Sequence, residues 1–255
     1  MITVRDIYEF IDRIAPFKLQ ESYDNSGLVI GSPDREVTTV LTALDVTREI
    51  IADAKRLGAE LIVTHHPVIF DPVKRISFDT VAGELALSGI SVISAHTSFD
   101  SAVMNDILCK KLGLVPAEPL CVENGVPIGC ICDCEELFAG ELAARIADAL
   151  GNTCIRYNET GKLLRRVAVC SGSGGSFLSC ALNKGADCLI TGDVKHNIFI
   201  DAHNSGFTVF DAGHFHTEEI FCGFMRDALA AEFPGLRAEI APSERDVLVY
   251  YIKDR

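Results

Sequence analysis

No stretch of this sequence approaches the roughly 18 consecutive apolar residues that a membrane-spanning helix needs. Its opening, Met-Ile-Thr-Val-Arg-Asp-Ile-Tyr-Glu-Phe, carries charges where a secretory signal requires an apolar run. Basic residues are in short supply: 23 Lys and Arg stand against 36 Asp and Glu, a formal net charge of -13. A surface that acidic repels phosphate backbones and anionic membranes, which argues against nucleic acid and lipid surfaces as partners. A small anionic substrate stays open, because a metal pair reverses the field inside one cleft. The ten cysteines form no paired framework, and in a reducing compartment they read as small core residues. No low-complexity segment interrupts the chain. These absences lead us to expect a cytosolic globular protein.

The 255 residues suffice for one large α/β domain or two small ones, and 48% hydrophobic content with 23% charged is an ordinary globular balance. Ile7, Phe10, Ile11 and Ile14 recur at helical spacing. Thr3 is placed to cap that helix with Asp6 three positions later, and Pro16 helps to stop it. Short apolar, β-branched runs then alternate with helical patterns. They cover 39–44, 60–64, 90–95, 167–170, 188–191, 207–210 and 247–252. Nearly continuous apolar runs mark strands buried on both faces, and their alternation with helices predicts a mostly parallel sheet covered by helices.

The chain also reads as duplicated. Val40 to His66 can be laid over Val167 to Asp193 at a constant offset of 127 (167 − 40). Gly58-Ala59 then meets Gly185-Ala186, and Thr64 meets Thr191. Val-Ile-Ser-Ala-His96 resembles Val-Phe-Asp-Ala-Gly-His214 with one residue inserted, and a carboxylate follows each histidine by four positions, Asp100 and Glu218. The expectation is an α/β protein of two similar lobes related by an internal repeat, about 1–120 and 121–255, with a site between them that takes ligands from both.

Ligands of open α/β sheets bind beyond the carboxyl ends of the strands. The residues just past the predicted strands are Asp45, His65-His66, His96 with Asp100, Gly192-Asp193, and Asp211 followed by His214. Four of the seven histidines lie there, a concentration that uniform placement would not produce. An isolated His-His pair is more often a hydrogen-bonded pair than a ligand pair. At a strand end the backbone turns, so both rings can reach one cleft, and Pro67 keeps His66 extended. His214 and Glu218 share one helix face at a spacing of four. His65, His66, Asp100, His214 and Glu218 are therefore the expected ligands of two divalent cations, and a mixed imidazole and carboxylate set suits zinc, iron, manganese, nickel or cobalt. His96, Asp45 and His196 are candidates for moving a proton at such a site.

Two other patterns are ambiguous. Ser-Gly-Ser-Gly-Gly at 171–175 is either a phosphate-cradling turn or simply a tight strand-to-helix connection, and it lacks the Gly-Lys-Ser/Thr ending of a P-loop. Cys130, Cys132 and Cys134 alternate and share a strand face; small core side chains are the stronger reading over a thiolate site.

Taken together, Ala-Leu-Asp-Val-Thr (43–47), Gly-Ala-Glu-Leu-Ile-Val-Thr-His-His-Pro-Val-Ile-Phe (58–70), Ser-Ala-His-Thr-Ser-Phe-Asp (94–100), Ile-Thr-Gly-Asp-Val-Lys-His (190–196) and Asp-Ala-Gly-His-Phe-His-Thr-Glu-Glu (211–219) resemble, in order, the Nif-three-like (YbgI-like) dinuclear-metal family. Tyr-Asp-Asn-Ser-Gly-Leu-Val-Ile-Gly (23–31) fits as well. Members of that family go by the name GTP cyclohydrolase I type 2 homologues. The resemblance implies a toroidal homohexamer of two-lobed subunits with two metal ions in each, and it assigns the same five ligands. The stretch after Asp100 departs from the family's Gly-Gly-containing loop, and the middle domain of longer members is absent. The activity implied is metal-dependent hydrolysis of a nucleotide or related small molecule. A metal-dependent phosphoesterase and a non-enzymatic metal-binding or adaptor ring are the alternatives.

Overall fold

The computed structural model describes residues 1–251. Along the chain its elements are α1 (Val4–Ile14), β1 (Gly27–Ile30), β2 (Thr39–Ala43), α2 (Arg48–Leu57), β3 (Leu61–Thr64), α3 (Val81–Ser88), β4 (Ser91–Ser94) and α4 (Thr97–Phe99). There follow α5 (Asn105–Lys111), β5 (Val115–Glu123), β6 (Val126–Leu137), α6 (Ala139–Leu150), β7 (Arg156–Tyr157), β8 (Leu164–Val169), α7 (Leu178–Asn183), β9 (Cys188–Thr191), α8 (His196–Asn204), β10 (Thr208–Asp211), α9 (His214–Glu218), α10 (Ile220–Glu232) and β11 (Arg237–Ile240). They group into two compact units. One holds Met1–Ala102 with Phe221–Arg245, the other Val103–Ile220 with 246–251.

The first unit is built on a sheet of order β1-β4-β3-β2-β11, with β4, β3, β2 and β11 parallel and β1 antiparallel at its edge. Strands β2, β3 and β4 are buried along their whole length, which is why they read as unbroken apolar runs. Ile50, Ile51 and Ala54 of α2 pack with Leu41, Ile62 and Val92. The opening helix starts as its sequence predicts: the Thr3 side chain accepts from the Asp6 N–H, and the Asp6 carboxylate accepts from the Thr3 N–H at 2.7 Å.

The second unit repeats the pattern. Its sheet has order β5-β6-β8-β9-β10-β7, in which β8, β9 and β10 are parallel and the flanking strands antiparallel. The run β2-α2-β3 of the first unit thus has its counterpart in β8-α7-β9, the segments that the offset of 127 superimposes. Cys130 and Cys132 are buried and Cys134 is packed beside them against Val167, Cys188 and Ile190, so the alternating cysteines belong to the core.

Two elements differ from expectation. The strand expected over 247–252 does not form: residues 247–251 carry no regular structure, and Ile252 lies outside the described residues. The last described strand is β11, whose Arg-Ala-Glu-Ile is only partly buried because it sits at a sheet edge. An edge strand has a wet face, so its sequence lacks the apolar run that marks the central strands. The hairpin β5-β6 was also missed, although Asn124-Gly125 is the strongest short-range hairpin signal. Glu123 pairs with Val126, leaving a two-residue turn with φ of 52° at Asn124 and 82° at Gly125. A Cβ at Gly125 would meet no atom within 4 Å, so its glycine is there for backbone freedom alone. Gly125→Ala is expected to lower unfolding stability by about 1 kcal/mol in urea titrations, with unchanged circular dichroism.

Candidate metal centre

In the first unit, the ends of β3 and β4 bring three imidazoles together. Pairing continues past β3: the His65 N–H donates to the Ala43 carbonyl and the His66 N–H to the Leu44 carbonyl, at 3.3 and 2.9 Å. The Thr64 hydroxyl then donates to the His66 carbonyl at 2.9 Å and bends the chain back on itself. Side chains that a straight strand would send to opposite faces end with ring centroids 4.9 Å apart. His96, just beyond β4, lies with its ring 5.2 Å from His65 and 5.4 Å from His66. The three residues offer nitrogens within 4.8 Å of one another. Asp100 lies beside the first of them, its Oδ1 3.5 Å from His65 Nε2. Phe221, in edge contact with Phe99, backs the fully buried His65.

Each ring is held by its other nitrogen. His65 Nδ1 faces the Ala95 carbonyl at 2.8 Å, His66 Nδ1 the Asp45 carboxylate at 2.9 Å, and His96 Nδ1 the Asp24 carboxylate at 2.9 Å. Asp24 has no exposed side-chain surface, and it also accepts from Asn25 N, Ser26 Oγ, Thr97 N and Thr97 Oγ1. Burial alone would raise its pKa. The bonds from His96, Thr97 and Ser26 outweigh burial and hold the carboxyl far below the usual carboxylate range. Sequence reasoning did not select Asp24. The turn-forming run Tyr-Asp-Asn-Ser-Gly was visible, but the link from Asp24 to His96 spans 72 residues.

In the second unit, α9 begins beyond β10 and sets His214 Nε2 2.9 Å from Glu218 Oε2. Glu218 is buried and its histidine half-buried. His214 Nδ1 is held by Asp193 at 2.9 Å, and Asp193 adopts a left-handed backbone with φ of 50°, rare for a residue other than glycine. Two glycines make room. A Cβ at Gly172 would stand 2.2 Å from Glu218 Oε1, and one at Gly192 would stand 2.6 Å from the His214 nitrogen. The glycine-rich run is therefore a close-packed turn. Three of its N–H groups are committed within the unit: Ser171 N to Asn105 Oδ1, Gly172 N to Thr217 Oγ1 and Gly174 N to Thr191 Oγ1.

The remaining candidates fall as follows. Asp45 orients His66, and its side chain is 58% exposed. His196 is exposed at the first residue of α8, and no described hydrogen bond or ion pair joins it to His214 or Glu218. After Asp100 the chain continues as a π-helical turn over Asp100–Met104 and then as α5, in place of a loop.

The donor set fits divalent cations. Two donors about 2.1 Å from a shared ion stand roughly 3.0–3.4 Å apart in octahedral or tetrahedral geometry. The His65–Asp100 and His214–Glu218 spacings of 3.5 and 2.9 Å bracket that range. Metal-ligating histidines characteristically tie down the second ring nitrogen, as His65, His66 and His214 do here.

Asp24→Asn is expected to cost about 2–3 kcal/mol of stability at neutral pH, since it removes a buried charge from several donors. Because the folded carboxyl titrates below its unfolded value, the gap between the two proteins should be constant above about pH 4 and narrow as pH falls further. Urea unfolding of both proteins across that window checks the sign.

The comparisons with known proteins agree with this architecture. A family model described as Duf34/NIF3 (NGG1p interacting factor 3) matches residues 2–246. A Clostridium perfringens protein named GTP cyclohydrolase 1 type 2 homolog is 36% identical over 228 residues, covering 84% of this chain and 86% of that protein. A Helicobacter pylori protein named GTP cyclohydrolase 1 type 2 is 32% identical over 237 residues, covering 90% and 92%. Among solved structures, a hypothetical protein of Staphylococcus aureus superposes with a TM-score of 0.89 at 25% identity, over 98% of this chain and 99% of that one. With the model spanning nearly the whole sequence, and with relatives this similar over most of their length, the chain belongs to the Duf34/NIF3 family.

Proposed function

We propose that this protein is a metal-dependent hydrolase acting on a nucleotide or related small molecule, with a dinuclear centre formed by His65, His66, Asp100, His214 and Glu218. One observation carries the reading. All four imidazoles, His65, His66, His96 and His214, have Nδ1 engaged and so offer Nε2. A protein that used these rings only as packing would have no need to orient each of them from behind.

Divalent ions held there would supply Lewis acidity and a water acidified to near-neutral pKa. The chain supplies the rest. His96 is the group placed to move a proton, at Nε2, because Asp24 holds its Nδ1 and fixes the ring beside His65 and His66. Asp45 and Asp193 orient His66 and His214 from the solvent side. Phe99 and Phe221 keep water from the back of His65. The names of the bacterial relatives make GTP the first substrate to test.

Purified protein should carry two equivalents of divalent metal per chain by elemental analysis, and Asp100→Ala and Glu218→Ala should each lower that content. Metal-loaded protein should release formate from GTP, and Asp100→Ala should lose that activity by at least about 100-fold. Equal formate release by both proteins would sink the assignment, and orthophosphate release in its place would transfer the site to phosphoester chemistry. Asp45→Ala should weaken metal binding by about 10–100-fold without removing a ligand. A chelator competition titration reads this out independently of turnover.

A further inference from the structure

Of the ten cysteines, six are buried and four are half-buried. Two of the half-buried four face each other in the second unit. Cys121 on β5 and Cys180 on α7 bring their sulfurs to 3.1 Å, across 59 residues of sequence. Helix α7 packs against β5, so the two side chains meet on elements already in contact. Strand β5 is the edge of its sheet, with Val122 and Glu123 exposed beside Cys121. The other neighbouring thiols, Cys109 with Cys132 at 3.5 Å and with Cys130, are all buried. Proximity is therefore common to both clusters, and access belongs to one.

We propose that Cys121 and Cys180 form a reversible dithiol–disulfide site whose co-reactant is a low-molecular-weight disulfide of the glutathione type. A disulfide bond is about 2.05 Å long, so closure needs roughly an ångström of approach between side chains on two adjacent elements. The Cys121 thiolate attacks one sulfur of the small disulfide; that S–S bond breaks and one small thiolate leaves, protonated by solvent. The Cys180 thiol then gives up its proton to water, and its sulfur attacks the Cys121 sulfur of the mixed disulfide. The protein S–S bond forms and a second small thiol departs. Two protein thiols are oxidised and one small disulfide is reduced to two thiols. Cys121 lies on the edge strand beside the exposed Val122 and Glu123, so the first attack falls to it, while thiol sharing with Cys121, aided by burial, pushes Cys180 up to about 11. The bond pins the edge strand to the helix that follows the glycine-rich turn under Glu218.

The full-length protein, folded, is equilibrated in buffers of stepped oxidised-to-reduced glutathione ratio, quenched with N-ethylmaleimide, and mapped by mass spectrometry. The expected result is a loss of about 2 Da, two fewer maleimide adducts than the reduced chain takes up, and one cross-linked peptide pair containing Cys121 and Cys180. Dithiothreitol restores the starting mass. Cys121→Ser abolishes the cross-link. Cys180→Ser also abolishes it, and traps glutathione on Cys121. A folded protein that keeps all its thiols at the highest ratio, that stops at mixed disulfides, or that cross-links Cys109 to Cys132 as readily would overturn the proposal.

Discussion

The hold on Nδ1 of each imidazole is the constraint from which the chemistry of this protein follows. A histidine ring that is free to rotate presents either nitrogen in any direction. A ring pinned at Nδ1 presents Nε2 along one line. The anchors here are of three kinds: a backbone carbonyl behind His65, exposed carboxylates behind His66 and His214, and a buried carboxylate behind His96. They are not equivalent. Asp45 and Asp193 are solvated, so their influence on the rings is screened. Asp24 is enclosed by donors and remains charged in a place where charge is costly, so its hold on His96 is screened less than theirs.

Backbone geometry does as much as side-chain chemistry. The turn after Thr64 brings neighbouring rings to one side, and the glycines at 172 and 192 let the chain lie against Glu218 and the start of α9. In each unit the donors stand where parallel strands end, the place at which α/β sheets generally collect ligands. The left-handed backbone of Asp193 is a local strain kept next to a functional ring.

Much of this was legible in the residues. Central strands buried on both faces announce themselves as apolar runs, and β9 falls on 188–191 as expected. The capped opening helix was equally plain. The histidines and acids beyond the strand ends could be picked out because their positions follow from sheet topology. What escaped had physical reasons. Strand β11 is an edge strand and carries a mixed sequence, while the more apolar 247–251 forms no strand. The bond from Asp24 to His96 joins segments far apart in sequence, and no local period encodes it. The glycines at 172 and 192 look like turn residues on paper, and only packing reveals which atoms they admit.

The matching of β2-α2-β3 with β8-α7-β9 has one more consequence. The positions aligned with His65-His66 are Gly192-Asp193, so where one copy keeps imidazoles the other has a spacer and a carboxylate that steadies a histidine elsewhere. In an assembly of two identical half-length chains, every substitution would appear twice, and such a division of labour could not arise. Within one chain the two matched runs carry different residues at the same point of the same scaffold, imidazoles at the end of β3 and a spacer with a ring-steadying carboxylate at the end of β9.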